Sequence, residues 1–273
     1  MYKRQIKAPE KLNKTAGRVM LNVNNICCVS KSQFGTSLTN VTFDLRQGEI
    51  LGIGGVAGNG QDELFAVLSG EQFSQHGSIS LNGINITKFN PNQRRKIGLL
   101  SAPEERLGHA AAPNMSLIEN TLITAENSQN LVSRGFIDWK KSKAFAEKVI
   151  KKFDVRTPGS QNTAGSLSGG NLQKFVIGRE ILQNPSVFIV NQPTWGVDAA
   201  AASSIRQALL TLSENGAAIL VISQDLDELL EISDQFAALN GGALSRIEKT
   251  ADLSMEQIGL MMGGAKDLEV HNV

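Results

Sequence analysis

The chain has 273 residues, 41% hydrophobic, 5% aromatic and 19% charged, enough to bury one large core or two small ones and too apolar for a disordered polymer. Its 27 Lys and Arg against 26 Asp and Glu give a formal net charge of +1, which points neither to nucleic acid nor to a polyacidic partner. The sum hides an asymmetry: residues 1–18 hold Lys3, Arg4, Lys7, Lys11, Lys14 and Arg18 against Glu10, leaving 21 basic and 25 acidic side chains for a mildly acidic remainder.

Residues 1–18, with Pro9, Gly17 and dense charge, read as a linker. Charge interrupts them too often for a secretory signal, and no later run approaches the roughly 20 apolar residues of a bilayer span, so a cytosolic chain is expected. Strands are expected at Met20 to Cys28 and Val41 to Leu45, both antiparallel. Cys27 and Cys28 are neighbours that cannot reach disulfide geometry without strain, and both are expected to be buried thiols. After a turn at Gln47 and Gly48, the strand Ile50 to Gly54 runs into a glycine loop, Gly55 to Gly60, and then a helix with Leu64, Val67 and Leu68 on one face. Further strands are expected at Ser78 to Leu81, closed by Asn82 and Gly83, and at Ile97 to Ser101.

From about Asn114 to Phe153 the pattern turns helical, with Phe145, Val149, Ile150 and Phe153 as one stripe. A helix opening after Ser168, Gly169 and Gly170 should bury Leu172, Phe175 and Val176. The continuous apolar strands Val187 to Val190 and Ala218 to Ile222, joined by a helix with Ile205, Ala208, Leu209 and Leu212 in one stripe, imply a parallel sheet covered on both faces. A short helix at Leu226 to Ile232 and a hairpin from Gln235 to Ile247 turning at Asn240, Gly241 and Gly242 follow. A tail helix, Ser254 to Met262, is expected outside the core. His76, His109 and His271 show no metal-ligand spacing, so no metal site is expected. Trp139 and Trp195 read as packing anchors.

The glycine loop fits G-x-x-x-x-G, but Gln61 and Asp62 follow where a working phosphate loop has Lys and Ser or Thr. Gly55, Gly58, Gly60, Gln61 and Asp62 are the nucleotide-binding candidates, because loop amides and a helix N-terminus can cradle an anion. Asp62 and Glu63 bring negative charge to the same end, and a carboxylate roughly 5 Å from a phosphate costs on the order of 3 kcal/mol at an effective dielectric of about 20. A tight turn with no ligand is the competing reading. Leu167-Ser168-Gly169-Gly170-Asn171 with Gln173 is more specific, since two glycines, a hydroxyl and a helix N-terminus converge on one spot.

These segments, with the Val187 strand ending in Asn191 and Gln192 and followed by Pro193 to Asp198, resemble the nucleotide-binding domain of ATP-binding-cassette transporters: an α/β P-loop fold with an antiparallel β subdomain and an inserted helical subdomain. The blocks GIGGVAGNGQDEL, APEERLGHAAAPNMSLIEN, SLSGGNLQKFVIGRE, QPTWGVD and VISQDLDEL are similar to the second half of tandem ATP-binding subunits that serve importers of simple sugars and nucleosides. The resemblance implies a domain over 19–250, a helical subdomain over about 103–182, and a helix and tail over 251–273.

It also implies that the catalytic positions are replaced. Asn191 and Gln192 stand at the Walker B positions, Gln224 at the switch position and Glu104 at the Q-loop position. The two Walker B amides supply neither a proton acceptor nor a full negative charge. Ser168, Gly169, Gly170, Gln173 and Asp198 are implied to face a partner's ATP, with Mg2+ mainly at the partner's site. Implied partners are a second, active nucleotide-binding domain, membrane permease subunits and, indirectly, a substrate-binding protein, on the inner face of the membrane and without nucleic acid. ATPase activity is expected in that complex and little from this chain alone. The permease would dock at Glu104 to Leu107 and the helices after Pro113. Phe34 is the candidate for stacking adenine. A regulatory or scaffold domain is the alternative of a different class, and a self-sufficient ATPase would need compensating groups.

Overall fold

The computed structural model describes residues 17–264. Most of the expected linker, the end of the expected tail and His271 lie outside the described residues.

Alternating apolar residues build β1 (Val19–Cys28) and β2 (Leu38–Arg46), which pair antiparallel and bury Leu21, Val23, Ile26, Val41, Phe43 and Leu45. A register shift between Asn24 and Cys27 disturbs the alternation: Cys28 is buried, but Cys27 is only half-buried, against expectation, and both thiols are free. β3 (Ile50–Gly54) leads through the glycine loop into α1 (Gln61–Ser69), which buries Leu64, Val67 and Leu68. β4 (His76–Leu81) and β5 (Ile84–Asn85) turn at Asn82 and Gly83, both at positive φ, and the small sheet has the order β2-β1-β4-β5. A six-residue helix, α2 (Pro91–Lys96), precedes β6 (Leu99–Ala102). The strand expected from Ile97 therefore starts later, because Ile97 caps α2 and donates its N–H back to Arg94.

The expected helical stretch divides. α3 (Leu117–Ala125) opens with a capping box of Ser116 and Glu119. The hairpin β7 (Val132–Ser133) and β8 (Phe136–Ile137) interrupts it at Arg134 and Gly135, both at positive φ, before α4 (Trp139–Lys152). Phe145, Val149 and Phe153 are buried as the stripe predicts. Then follow α5 (Gly169–Ile181), β9 (Val187–Asn191), α6 (Ala199–Glu214), β10 (Ala218–Ser223), α7 (Leu226–Ile232), β11 (Gln235–Asn240), β12 (Ala243–Leu244), β13 (Glu248–Lys249) and α8 (Met255–Met262). β12 stops short of the expected Ile247, and the Ser245 hydroxyl accepts the Ala238 N–H in place of a backbone carbonyl.

The central sheet has the order β12-β11-β3-β10-β9-β6, with β13 beside β11, and β11, β3, β10, β9 and the edge strand β6 run parallel. Alternate residues serve two cores. Phe188, Val190, Ile219 and Val221 join the helices α5, α6 and α7 on one face, while Val187, Ile189, Leu220 and Ile222 join α1 and the small sheet on the other. α8 is not outside the core: Ile258 and Met261 are buried in it, and Asn240 Nδ2 donates to the Met262 carbonyl. Arg95, Arg179 and Glu180 tie α5 to the segments before it. Glu180 Oε2 lies 2.7 Å from Arg95 Nη1 and Glu180 Oε1 lies 2.8 Å from Arg179 Nε, while Arg179 also donates to the carbonyls of Asn120 and Ala110.

Candidate functional site

The glycine loop sits at the C-terminal end of β3, where parallel strands open a crevice. Gly60, at φ 106°, ends it in a conformation that side chains avoid, and a Cβ there would press on Leu38. From outside, Asn59 Oδ1 accepts the Gly241 N–H at 2.8 Å and the Thr36 hydroxyl donates to the Gly58 carbonyl. From inside, the Gln61 side chain folds back on the loop. Its Nε2 donates to the Val56 carbonyl at 2.9 Å and its Oε1 accepts the Asn59 N–H at 3.0 Å. Gly55 makes room for this, since a Cβ there would stand 2.6 Å from Gln61 Nε2. Gln61 is buried, at 7% exposure.

Next to it, Asp62 Oδ1 accepts a 3.3 Å hydrogen bond from Asn191 Nδ2 at the end of β9. Asn191 is buried, and its Oδ1 has no partner among the described residues. Gln192, at φ 52°, donates its N–H to Ile222, and its Oε1 lies 3.4 Å from both the Ser223 hydroxyl and the Gln224 N–H. The Gln224 side chain is exposed. Behind them, burial pushes the Glu228 carboxyl up, while hydroxyls of Thr194 and Ser223 oppose the shift. Asp62, Glu104, Asn191, Leu167 and Gly169 line one cleft of about 780 Å³ together with Glu71, Glu105, Arg106 and His109. Burial and then the charge of Asp62 push the Glu104 carboxyl above its ordinary range, with Arg106 pulling the other way. Four carboxylates and one guanidinium make this cleft acidic. Among the described residues, no group of three or more His, Cys, Asp or Glu side chains is arranged to hold a metal.

Ser168 caps α5 through its backbone, and its side chain makes no capping hydrogen bond. Ser168 and Gly169 are exposed, Gly170 is half-buried, and Asn171 Nδ2 holds the Ser168 hydroxyl at 2.9 Å. Ser168, Gly170 and Asn171 share a cleft of about 250 Å³ with Asp154, Arg156, Lys174 and Asp198, while Gly169 lines the acidic cleft. Asp198 is exposed and accepts the Ala201 N–H as the cap of α6; that bond holds its carboxyl below the usual range.

Gln173 departs from its expected place on that surface. It is 1% exposed, its Nε2 donates to the Pro193 carbonyl at 2.8 Å, and its Oε1 accepts from Arg106 Nε at 2.9 Å. Arg106, expected only as part of the docking segment Glu104 to Leu107 and not among the nucleotide-site candidates, also donates to the Trp195 carbonyl and lies against Gly169 and Gly196. Nothing in local periodicity marks it. Trp139 and Trp195 are more than half exposed and so are not packing anchors, and Phe34 is 90% exposed.

A family model described as ABC transporter matches residues 38–195, more than half of the chain. The glucose import ATP-binding protein TsgD13 of Haloferax volcanii is 36% identical over 233 residues, which cover 85% of this chain and 42% of that protein. The nucleoside import ATP-binding protein NupA of Lactococcus lactis is 34% identical over 236 residues, 86% of this chain and 47% of that protein. The galactose/methyl galactoside import ATP-binding protein MglA of Escherichia coli is 34% identical, covering 92% and 48%. The chain thus spans less than half the length of these relatives. The fold matches the dimeric ATP-binding cassette MJ0796 in a post-hydrolysis state with ADP and Pi, at a TM-score of 0.71 and 21% identity over 85% of this chain and 99% of that one. It also matches a nucleotide-free ATP-binding cassette at a TM-score of 0.70 and 22% identity, covering 92% and 98%.

Proposed function

Since the chain belongs to the ABC transporter family of ATP-binding domains, we propose that it is the hydrolytically inert half of a paired ATPase driving import of nucleosides or simple sugars. In this reading Ser168, Gly169 and Gly170 complete an ATP site whose glycine loop belongs to a second, active domain. The observation that carries it is the contrast between two helix N-termini. Neither helix has a side-chain cap, but at α1 the loop is closed on itself by Gln61 and flanked by Asp62, whereas at α5 Ser168 and Gly169 are exposed.

The chain's own residues fit magnesium and a triphosphate poorly. The positive side chain of the loop is gone, Asn191 and Gln192 bring no charge to a metal, and neither amide can take a proton from water. On the outward side the fit is good. The α5 amides and the Ser168 hydroxyl offer donors to a terminal phosphate as charge spreads during its transfer, while Arg156 and Lys174 share the cleft with Asp154 and Asp198, Lys174 being paired with Asp154 at 3.4 Å. ATP held between two domains supplies the hydrolysis energy; this chain binds and orients it. No helix among the described residues is long and apolar enough to cross a membrane. The similarity to import ATP-binding proteins supports permease subunits at the cytoplasmic membrane face, met by Glu104 to Leu107 and the helices after Pro113, and a substrate-binding protein acting through them. Leu107, 40% exposed, offers an apolar contact there.

Purified alone, the chain should show almost no magnesium-dependent ATP turnover. In the complex with its active partner, Ser168→Arg should lower turnover by roughly 100-fold or more, and Gln192→Ala should leave it nearly unchanged. The reverse pattern assigns the working site to this chain, and indifference to Ser168→Arg makes the chain a scaffold.

A further inference from the structure

We propose that Arg106 is a positioning residue through which the 104–111 segment sets the geometry of the exposed loop at Ser168 to Gly170; the functional part of this inference rests on the paired-domain reading. Four observations converge on one guanidinium. Its Nε donates to Gln173 Oε1 at 2.9 Å, one turn into α5. Its Nη2 donates to the Trp195 carbonyl in the loop after β9. Gln173, buried, passes the connection on to the Pro193 carbonyl at 2.8 Å. Glycines then stand where the guanidinium presses on backbone: a Cβ on Gly169 would lie 2.8 Å from Nη1, and one on Gly196 would lie 3.2 Å from Nη2.

Arg106 therefore joins three segments that sequence separates: the loop before α3, the start of α5, and the loop leading to Asp198. The segment that carries it is itself stiff. Ala110 and Ala111 donate to the carbonyls of Glu105 and Arg106 at 3.0 and 2.8 Å, and the Gly108 N–H returns to Ala111. Leu107, next in sequence, points outward. A partner that moves Leu107 must move the Arg106 backbone with it, and the fork carries that displacement to Gly169 and Gly196. A lysine keeps the charge but not the planar fork that bonds in two directions at once.

The test has two arms, both with Arg106→Lys and Arg106→Gln. In the full chain alone, amide hydrogen exchange at 169–173 and 194–198 should rise about tenfold in both variants while β9 and β10 keep their protection. In the assembled complex, kcat for permease-stimulated ATP hydrolysis should fall about tenfold with KM for ATP moved less than about threefold, and lysine should not restore it. Unchanged exchange, uniform loosening of the whole chain, or full kcat with Arg106→Lys would overturn the role. If the wild-type complex shows no stimulated hydrolysis, the paired-domain reading fails, and the exchange arm still decides whether Arg106 holds the loop.

Discussion

At Gln61 both ends of the side-chain amide are spent on the loop that a phosphate would otherwise use, one on the Val56 carbonyl and one on the Asn59 N–H. Restoring a lysine and removing the neighbouring carboxylate should reopen it. Gln61→Lys with Asp62→Ser changes the local charge by two, and a single charge pair about 5 Å apart is worth on the order of 3 kcal/mol at an effective dielectric near 20. The isolated double variant should bind MgATP at least about tenfold more tightly than the natural chain by titration calorimetry. No gain would mean that something other than these two side chains closes the loop. The loss of lysine is legible in the sequence; the fold-back of Gln61 is not, because it needs two backbone groups that only the loop's curvature brings together. Gln173 was within reach of periodicity. It follows Leu172 and precedes Val176 by three, inside the buried stripe of α5 and not on its open end.

Among the elements, α5 depends on a buried charge cluster. Burial alone would raise the Glu180 carboxyl, but Arg95 and Arg179 hold it below its usual range. Its folded-state pKa is thus depressed, so its contribution to stability is full above the unfolded carboxylate value and is lost as pH falls through the folded one. Glu180→Gln leaves two guanidiniums facing a neutral amide in the interior and should destabilise the chain by about 3–5 kcal/mol at neutral pH. Denaturant midpoints should show the gap between natural chain and variant closing as the pH is lowered into the acid range; a constant gap would mean that the carboxylate's charge is not what holds α5. Long periodic helices and continuous apolar strands were legible because their pattern repeats. The cluster was not, since Arg95 comes from α2, a six-residue helix with no apolar stripe to announce it. The β7–β8 hairpin escaped for the same reason, its strands being two residues each.

For the whole molecule, the proposed pairing with an active domain has a countable consequence. With Gln61, Asp62, Asn191 and Gln192 on one side, trapping with vanadate should hold one nucleotide per pair of domains, bound between the partner's glycine loop and this chain's Ser168; two trapped nucleotides would contradict the asymmetry. By itself, the sequence determined the layered α/β fold, the order of its loops and the replacement of the charged groups, because apolar period, glycine spacing and residue identity are local properties of the chain. Tertiary structure alone decided that Gln61 turns inward, that α8 joins the core and that Arg106 links three loops. Those outcomes rest on hydrogen bonds and contacts between distant positions, as between Arg106 and Gln173, 67 residues apart, or on a curvature that no local pattern encodes. Such contacts exist only once the parallel sheet has brought the loop ends to one edge.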